Sequence, residues 1–226
     1  MNWENMYDDF YAVRRIKSAV NLARPYIFDS DTVLDIGCFT QEIKKYLPDN
    51  ITYVGIDSKA YTKEVNVVDI EVPTTFIKAD IVFCLEVLEH LKNPKSTLSI
   101  IKNSIGSTGY SIISLPNEAT IFHRIRCLFG IVDAECFSES GKHLHLPNLN
   151  QCRKFLNKFF VIHKEVYYIN PSATGSRQAW LGKILQLIPD CVHQWLADIW
   201  PSLFARGFIF LLKSIPKISS ISKKMP

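Results

Sequence analysis

Three carboxylates stand where short apolar runs end: Asp35 after Thr32-Val33-Leu34, Asp57 after Ile51 to Ile56, and Asp69 after Val65 to Val68. In an open parallel sheet, ligands bind beyond the carboxyl ends of the strands, beside the point where strand order reverses. Asp35 precedes Ile36-Gly37, where a missing side chain lets backbone approach a ligand closely. Asp57 follows Asp35 by 22 residues, a spacing at which a strand-end acid can accept hydrogen bonds from both hydroxyls of a ribose. The plainer use of Asp57 is as a turn former or helix cap. Three histidines add acid–base capacity, since an imidazole titrates near pH ~6.5. His90 sits beside Glu89, while His143 and His145 end a polar stretch, Gly130 to Leu146. His145 is the first candidate for a general base and His90 the second, against ordinary packing or surface hydrogen bonding. His-x-His with acidic neighbours is a weak metal motif, and no metal is expected.

The elements that must position these groups follow from periodicity. Tyr11 to Ile27 carries Val13, Ile16, Val20 and Ala23 at helical spacing and ends near Arg24-Pro25. Thr32 to Ile36 is a buried strand, Gln41 to Leu47 a short helix stopped by Pro48, and Ile51 to Ile56, Val65 to Val68 and Ala79 to Phe83 are further strands. Pro94 starts a helix whose stripe of Leu98, Ile101 and Ile105 runs to Gly106, and Tyr110 to Leu115 is a fifth strand. Strand and helix alternate to about residue 115, which predicts an α/β fold with a parallel sheet and right-handed crossovers. Beyond it the pattern predicts helices at Ala119 to Phe129 and Asn148 to Asn157, and strands at Phe160 to Ile169 and Gly207 to Leu212. Trp180 to Phe204 is rich in bulky apolar residues and broken by Pro189 and Pro201.

With 226 residues, 47% of them apolar and 21% charged, the chain suits one folded domain and not a disordered one. Lys and Arg exceed Asp and Glu by 26 to 22, too little for a dedicated nucleic-acid surface. No nucleic acid is expected as partner. No acidic residue follows Asp198, whereas Arg206, Lys213, Lys217, Lys223 and Lys224 do. A basic tail after an apolar segment suits peripheral contact with anionic lipid. The longest apolar run near the end, Gly207 to Leu212, is far below the ~20 residues a spanning helix needs. No basic region followed by an apolar run opens the sequence, so no signal peptide is expected. The six cysteines, at 38, 84, 127, 136, 152 and 191, include no C-x-x-C pair and read as reduced structural thiols in a cytoplasmic protein.

Four motifs in order now carry a resemblance. Val33-Leu34-Asp35-Ile36-Gly37-Cys38 resembles the first motif of class I S-adenosylmethionine-dependent methyltransferases. Tyr53-Val54-Gly55-Ile56-Asp57 resembles their ribose-binding strand, and Ala79 to Leu91 their fourth strand with the turn after it. Ser114-Leu115-Pro116-Asn117 is similar to the end of the fifth strand, and Leu203 to Phe208 to the entry of the last strand in saccharide-pathway members. The resemblance runs from about residue 30 to 213. It implies a Rossmann-like, seven-strand, mostly parallel sheet with helices on both faces and an antiparallel last strand. It implies S-adenosyl-L-methionine as cofactor, with Gly37 under the methionine part and Asp35 near its amino group. Asp57, with Ser58 next to it, would hold the ribose hydroxyls. Asp69 and Ile70 would border the adenine, and Leu85, Glu86 and Val87 would line the floor. Acidic groups around a sulfonium and an ammonium are the right electrostatics.

Two departures stand out. The family writes D-x-G-x-G-x-G where this chain has Phe39 and Gln41 at the second and third glycines. A side chain at 39 would crowd the cofactor, or push the backbone away if that position needs a positive φ. The segment from Asp57 to Ala79 also leaves little room for a second crossover helix. A nicotinamide dehydrogenase fits worse, because G-x-G-x-x-G is absent. The resulting expectation is methyl transfer to a small-molecule or saccharide or lipid-linked acceptor, at a hydroxyl, in cell-surface glycan biosynthesis. The alternative is a degenerate fold serving as a binding module without catalysis. The expected organisation is a single domain: helix 1–29, cofactor half 30–116, acceptor half 117–213 with a helical insertion at about 177–204, and basic tail 214–226.

Overall fold

A computed structural model describes residues 10–72, 75–117, 119–130, 143–169 and 189–215. Among these residues seven strands occur: β1 Thr32–Ile36, β2 Thr52–Asp57, β3 Asn66–Val67, β4 Ala79–Leu85, β5 Ile105–Pro116, β6 Phe160–Tyr168 and β7 Gly207–Ser214. They form one sheet in the order β3-β2-β1-β4-β5-β7-β6. Strands β1 to β5 run parallel, and β7 lies antiparallel between β5 and β6. The chain winds outward from β1 to β3 and then returns to β4 on β1's other side. In open sheets of this kind such a reversal, here above the ends of β1 and β4, is where ligands bind.

Alternation of side chains divides the core into two layers. On β4, Ile81, Phe83 and Leu85 face the helix α1, Phe10–Ala23, through its Ile16, Ala19, Val20 and Ala23. Val82 and Cys84 face the opposite layer with Leu98 and Ile101 of α2, Pro94–Ser104, and Leu149, Cys152 and Leu156 of α4, Leu149–Leu156. The shorter α3 spans Ile121–Leu128. Both strand faces are covered, which is why these strands read as continuous apolar runs.

Local signals set the helix ends. Asn93 accepts the Ser96 N–H and Pro94 follows it at the start of α2. Asn148 and Gln151 exchange side-chain and backbone hydrogen bonds of 2.9 and 3.0 Å at the start of α4. The apolar segment near the C-terminus breaks into α5, Asp190–Ile199, and α6, Pro201–Phe204. The part of that expected insertion before residue 189 lies outside the described residues, as does most of the 214–226 tail. Between β2 and β4 the described residues hold no helix, in line with the short segment there. No described helix is long and apolar enough to cross a membrane.

Two differences from the sequence pattern have simple causes. Strand β5 starts at Ile105, so α2 ends before Gly106. Helical periodicity runs through Ile105 because its side chain joins the same core layer as Leu98 and Ile101. The short helix before Pro48 is a tight 3₁₀ turn, Glu42–Tyr46, with Ile43 buried.

Candidate active site

The turn after β1 keeps a glycine-type backbone although only the first of its three positions is glycine. Gly37 has φ +73°, Phe39 +46° and Gln41 +62°. A side chain at 37 would collide with Val87, so only a glycine lets the turn lie against that side chain. The left-handed conformation costs a non-glycine residue roughly 1–2 kcal/mol. Several contacts hold it here. The Phe39 N–H donates to Asp57 Oδ2 at 3.0 Å, and the Phe39 ring packs on Tyr61 with centroids 4.1 Å apart. Gly37 and Cys38 donate to the Ile56 carbonyl at 2.9 and 3.1 Å. Gln41 is buried. Any Cβ at Gly55 would press on Cys38 Sγ and Gln41 Nε2. Of the two alternatives for residue 39, the backbone therefore retains its path.

Asp35 is buried on the α1 side of β1 and accepts a 2.5 Å hydrogen bond from the Tyr53 hydroxyl. Burial pushes its carboxyl up to about 7, against the lowering effect of Tyr53 and with a further rise from the charge of Asp57. Asp57 closes β2, its Oδ1 accepting from Lys59 N and Ser58 Oγ at 3.3 Å each. Asp69 is exposed and accepts the Glu71 N–H, a turn-forming role, while Ile70 beside it is buried. Leu85 is buried and Val87 half-buried. The cysteines near this layer are inert: burial pushes Cys38 up to about 12 and Cys84 well above its ordinary value.

At the end of β4, Glu86 adopts φ +56°. Its carboxylate accepts the Tyr168 hydroxyl at 2.8 Å and Ser114 Oγ at 3.4 Å, with Arg15 of α1 at 3.7 Å. A side chain at Gly207 would collide with the Tyr168 phenol, so that glycine admits the contact. Asn117 is buried at the end of β5, donating to the Ala205 carbonyl at 2.8 Å and accepting from Ala119 N at 3.1 Å. It ties β5 to the entry of β7.

A profile of the methyltransferase domain matches residues 5–159. This chain belongs to the methyltransferase-domain family. Family and sheet order together make it a class I methyltransferase, the class whose methyl donor is S-adenosylmethionine. A search of the curated proteins finds no match. Among solved structures it is similar to an S-adenosylmethionine-dependent methyltransferase from Archaeoglobus fulgidus, at TM-score 0.59 and 17% identity over 94% of this chain and 100% of that one. It is also similar to the N-methyltransferase NodS from Bradyrhizobium japonicum WM9 in complex with S-adenosyl-L-homocysteine, at TM-score 0.59 and 12% identity over 95% and 92% of the two chains. Coclaurine N-methyltransferase bound to N-methylheliamine and SAH aligns at TM-score 0.58 and 15% identity over 89% and 70%.

The residues present fit this methyltransferase's cofactor. The two carboxylates of Asp35 and Asp57 are close enough to influence each other's charge, the right sign for a cationic ligand, and Val87 stands directly over Gly37. The three histidines fall into two groups. His143 packs against His90 with ring centroids 4.9 Å apart, next to buried Glu89. His145 is instead fixed to the Leu91 carbonyl through Nε2 at 2.9 Å, and it lines an open cavity of about 600 Å³ with Leu88, Lys92, Gln151 and Phe155. Sequence reasoning missed Tyr53, Tyr168 and Arg15. An aromatic residue in a strand reads as core, and only pairing across the sheet aims its hydroxyl at a carboxylate.

Proposed function

We propose that this methyltransferase transfers the methyl group of S-adenosylmethionine to a hydroxyl of a small-molecule, saccharide or lipid-linked acceptor. The observation that carries the cofactor side is the Gly37–Gln41 turn, which keeps its left-handed backbone and closes on Asp57 through the Phe39 N–H. Bound there, the cofactor supplies an electrophilic methyl group. Asp57 accepts the ribose hydroxyls, with Ser58 beside it. Asp35, in its ionised form, faces the ammonium. Asp69 and Ile70 border the adenine, and Leu85, Glu86 and Val87 close the floor, with Glu86 held by Tyr168. On the acceptor side, His90 takes the hydroxyl proton, because His145 spends Nε2 on Leu91 and positions its segment instead. Alignment and proton removal are the main contributions an enzyme makes to such a displacement. Coclaurine N-methyltransferase, bound to N-methylheliamine, supports the acceptor's size class.

The test is calorimetric titration with S-adenosylmethionine and S-adenosylhomocysteine, repeated on Asp57→Ala. Micromolar binding lost in the variant supports this reading, and a native protein that binds neither compound overturns it. A second reading, a binding module without catalysis, is favoured by the side chains at 39 and 41. Phe39→Gly separates the two, since only an obstructed site gains affinity from it.

The acceptor half also suggests where the enzyme works. Trp195, Ile199 and Trp200 are 57–61% exposed on and just after α5, followed by the basic C-terminal residues. A cytoplasmic enzyme of glycan biosynthesis, peripheral to the inner face of the membrane, is the localisation we propose. Equal binding to neutral and anionic vesicles would remove its electrostatic part.

A further inference from the structure

We propose that Glu89, His90 and His143 form a binding site for a divalent transition-metal ion on the acceptor side of this methyltransferase. The three offer one carboxylate oxygen and two imidazole nitrogens, all within 4.8 Å of one another. His90 Nε2 stands 4.0 Å from Glu89 Oε1, too far for a hydrogen bond. Two donors sharing one ion at about 2.1 Å each lie roughly 3.0–4.2 Å apart, according to the angle between them. The 4.0 Å pair falls inside that range and the 4.8 Å bound lies outside it, so an ion would draw the three donors together by about half an ångström.

The three donors come from two segments that the backbone clamps together. The Glu89 carbonyl accepts the N–H groups of Leu144 and His145 at 2.7 and 3.2 Å. His145 Nε2 adds its bond to the Leu91 carbonyl at 2.9 Å. These three contacts hold His143 over the turn Leu88–His90, whose Glu89 side chain is fully buried. His145 is therefore a positioning residue for the site. Its side chain does not reach the cluster formed by the other three.

Two imidazoles and a carboxylate select a borderline ion such as Zn²⁺ over Ca²⁺ or Mg²⁺, which prefer oxygen donors, with the harder Mn²⁺ bound more weakly than Zn²⁺. Three protein ligands leave coordination positions for an exogenous oxygen, as in catalytic sites. The ion's role rests on the hydroxyl-acceptor reading above: it binds the acceptor oxygen and lowers the pKa of that hydroxyl. With the ion bound, His90 is a ligand and no longer the base, so the hydroxyl proton passes to solvent while an oxygen electron pair forms the bond to the methyl carbon. The methyl–sulfur pair goes to sulfur, which leaves S-adenosylhomocysteine.

Metal binding is measured without reference to activity. Chelator-treated protein titrated with ZnCl₂ or MnCl₂ should take up one ion per chain. His90→Ala and His143→Ala should each weaken uptake by about a hundredfold or more, and His145→Ala by about tenfold. Should a variant misfold, pulsed electron paramagnetic resonance of the Mn²⁺-loaded native protein should show coupling to histidine nitrogen. No saturable uptake, or uptake with no nitrogen coupling, overturns the proposal. Cofactor titration of the same samples keeps the two readings apart. Metal binding without cofactor binding overturns the methyl-transfer reading alone, and the reverse overturns the metal site alone.

Discussion

The two halves of this molecule build their sites by different means. Around the ends of β1 and β2, the groups sit within one turn or one strand of each other: Phe39 N–H reaches Asp57 across 18 residues, as Tyr53 reaches Asp35. Around β5 to β7, the partners come from far along the chain. Tyr168 reaches Glu86 across 82 residues, Asn117 reaches Ala205 across 88, and His145 reaches Leu91 across 54. The contacts at the ends of β1 and β2 are thus local devices on parallel strands, whereas those of Tyr168 and Asn117 form only once the antiparallel β7 has closed against β5.

That contrast can be broken most forcefully at Asp35. Its carboxyl is raised from 3.8 to about 7, so the folded apoprotein holds a proton that the unfolded chain releases. The stability this contributes is complete below about pH 4 and is lost as pH rises through about 7, of the order of 4 kcal/mol across the window. Urea unfolding from pH 4 to 8 should show that decline, and Asp35→Asn should flatten it. Cofactor affinity should run the other way, rising up to about pH 7 as the carboxylate forms to face the ammonium, then levelling. A pH-independent affinity would place the charge partner elsewhere.

Next in size is Asp57→Ala. Loss of two charged hydrogen bonds, each about 1.5 kcal/mol, should weaken cofactor binding about a hundredfold. Unchanged affinity would mean that the ribose lies elsewhere. The acceptor half answers to Asn117→Ala. Removing its buried amide strands the Ala205 carbonyl and the Ala119 N–H, and should cost about 2 kcal/mol in chemical denaturation. Native stability in that variant would show that β5 and β7 do not need the clamp.

The smallest effect is expected at Phe39→Gly. Relief of left-handed strain, about 1–2 kcal/mol, opposes the added freedom of the unfolded chain and the lost packing on Tyr61. Stability should change by less than about 1 kcal/mol, with cofactor affinity within about threefold of the native value. A large gain in affinity would make Phe39 an obstruction and revive the binding-module reading.

Much of this was legible in the residues themselves. Apolar runs covered on both faces mark β1 and β4, and the strand-end acids follow directly from them. Asn93-Pro94 and Asn148 with Gln151 announce two helix starts, because caps are local chemistry. The histidines were legible as a group but not as a geometry. His143 and His145 differ by two positions, yet one meets His90 and the other turns to Leu91. Spacing in an irregular segment does not say which side chain points where.

What the sequence by itself determined is the order of strands and helices, the family, and the acids at the strand ends, since period and turn chemistry act over a few residues. The tertiary structure alone decided three things. It fixed the left-handed path of Phe39 and Gln41, since contacts with Asp57, Tyr61 and Ile56 outweigh the backbone preference of those residues. It raised the Asp35 carboxyl, since burial between β1 and α1 sets its solvation. And it brought Glu89, His90 and His143 together, since only packing and backbone pairing between distant segments can join groups the chain keeps more than fifty residues apart.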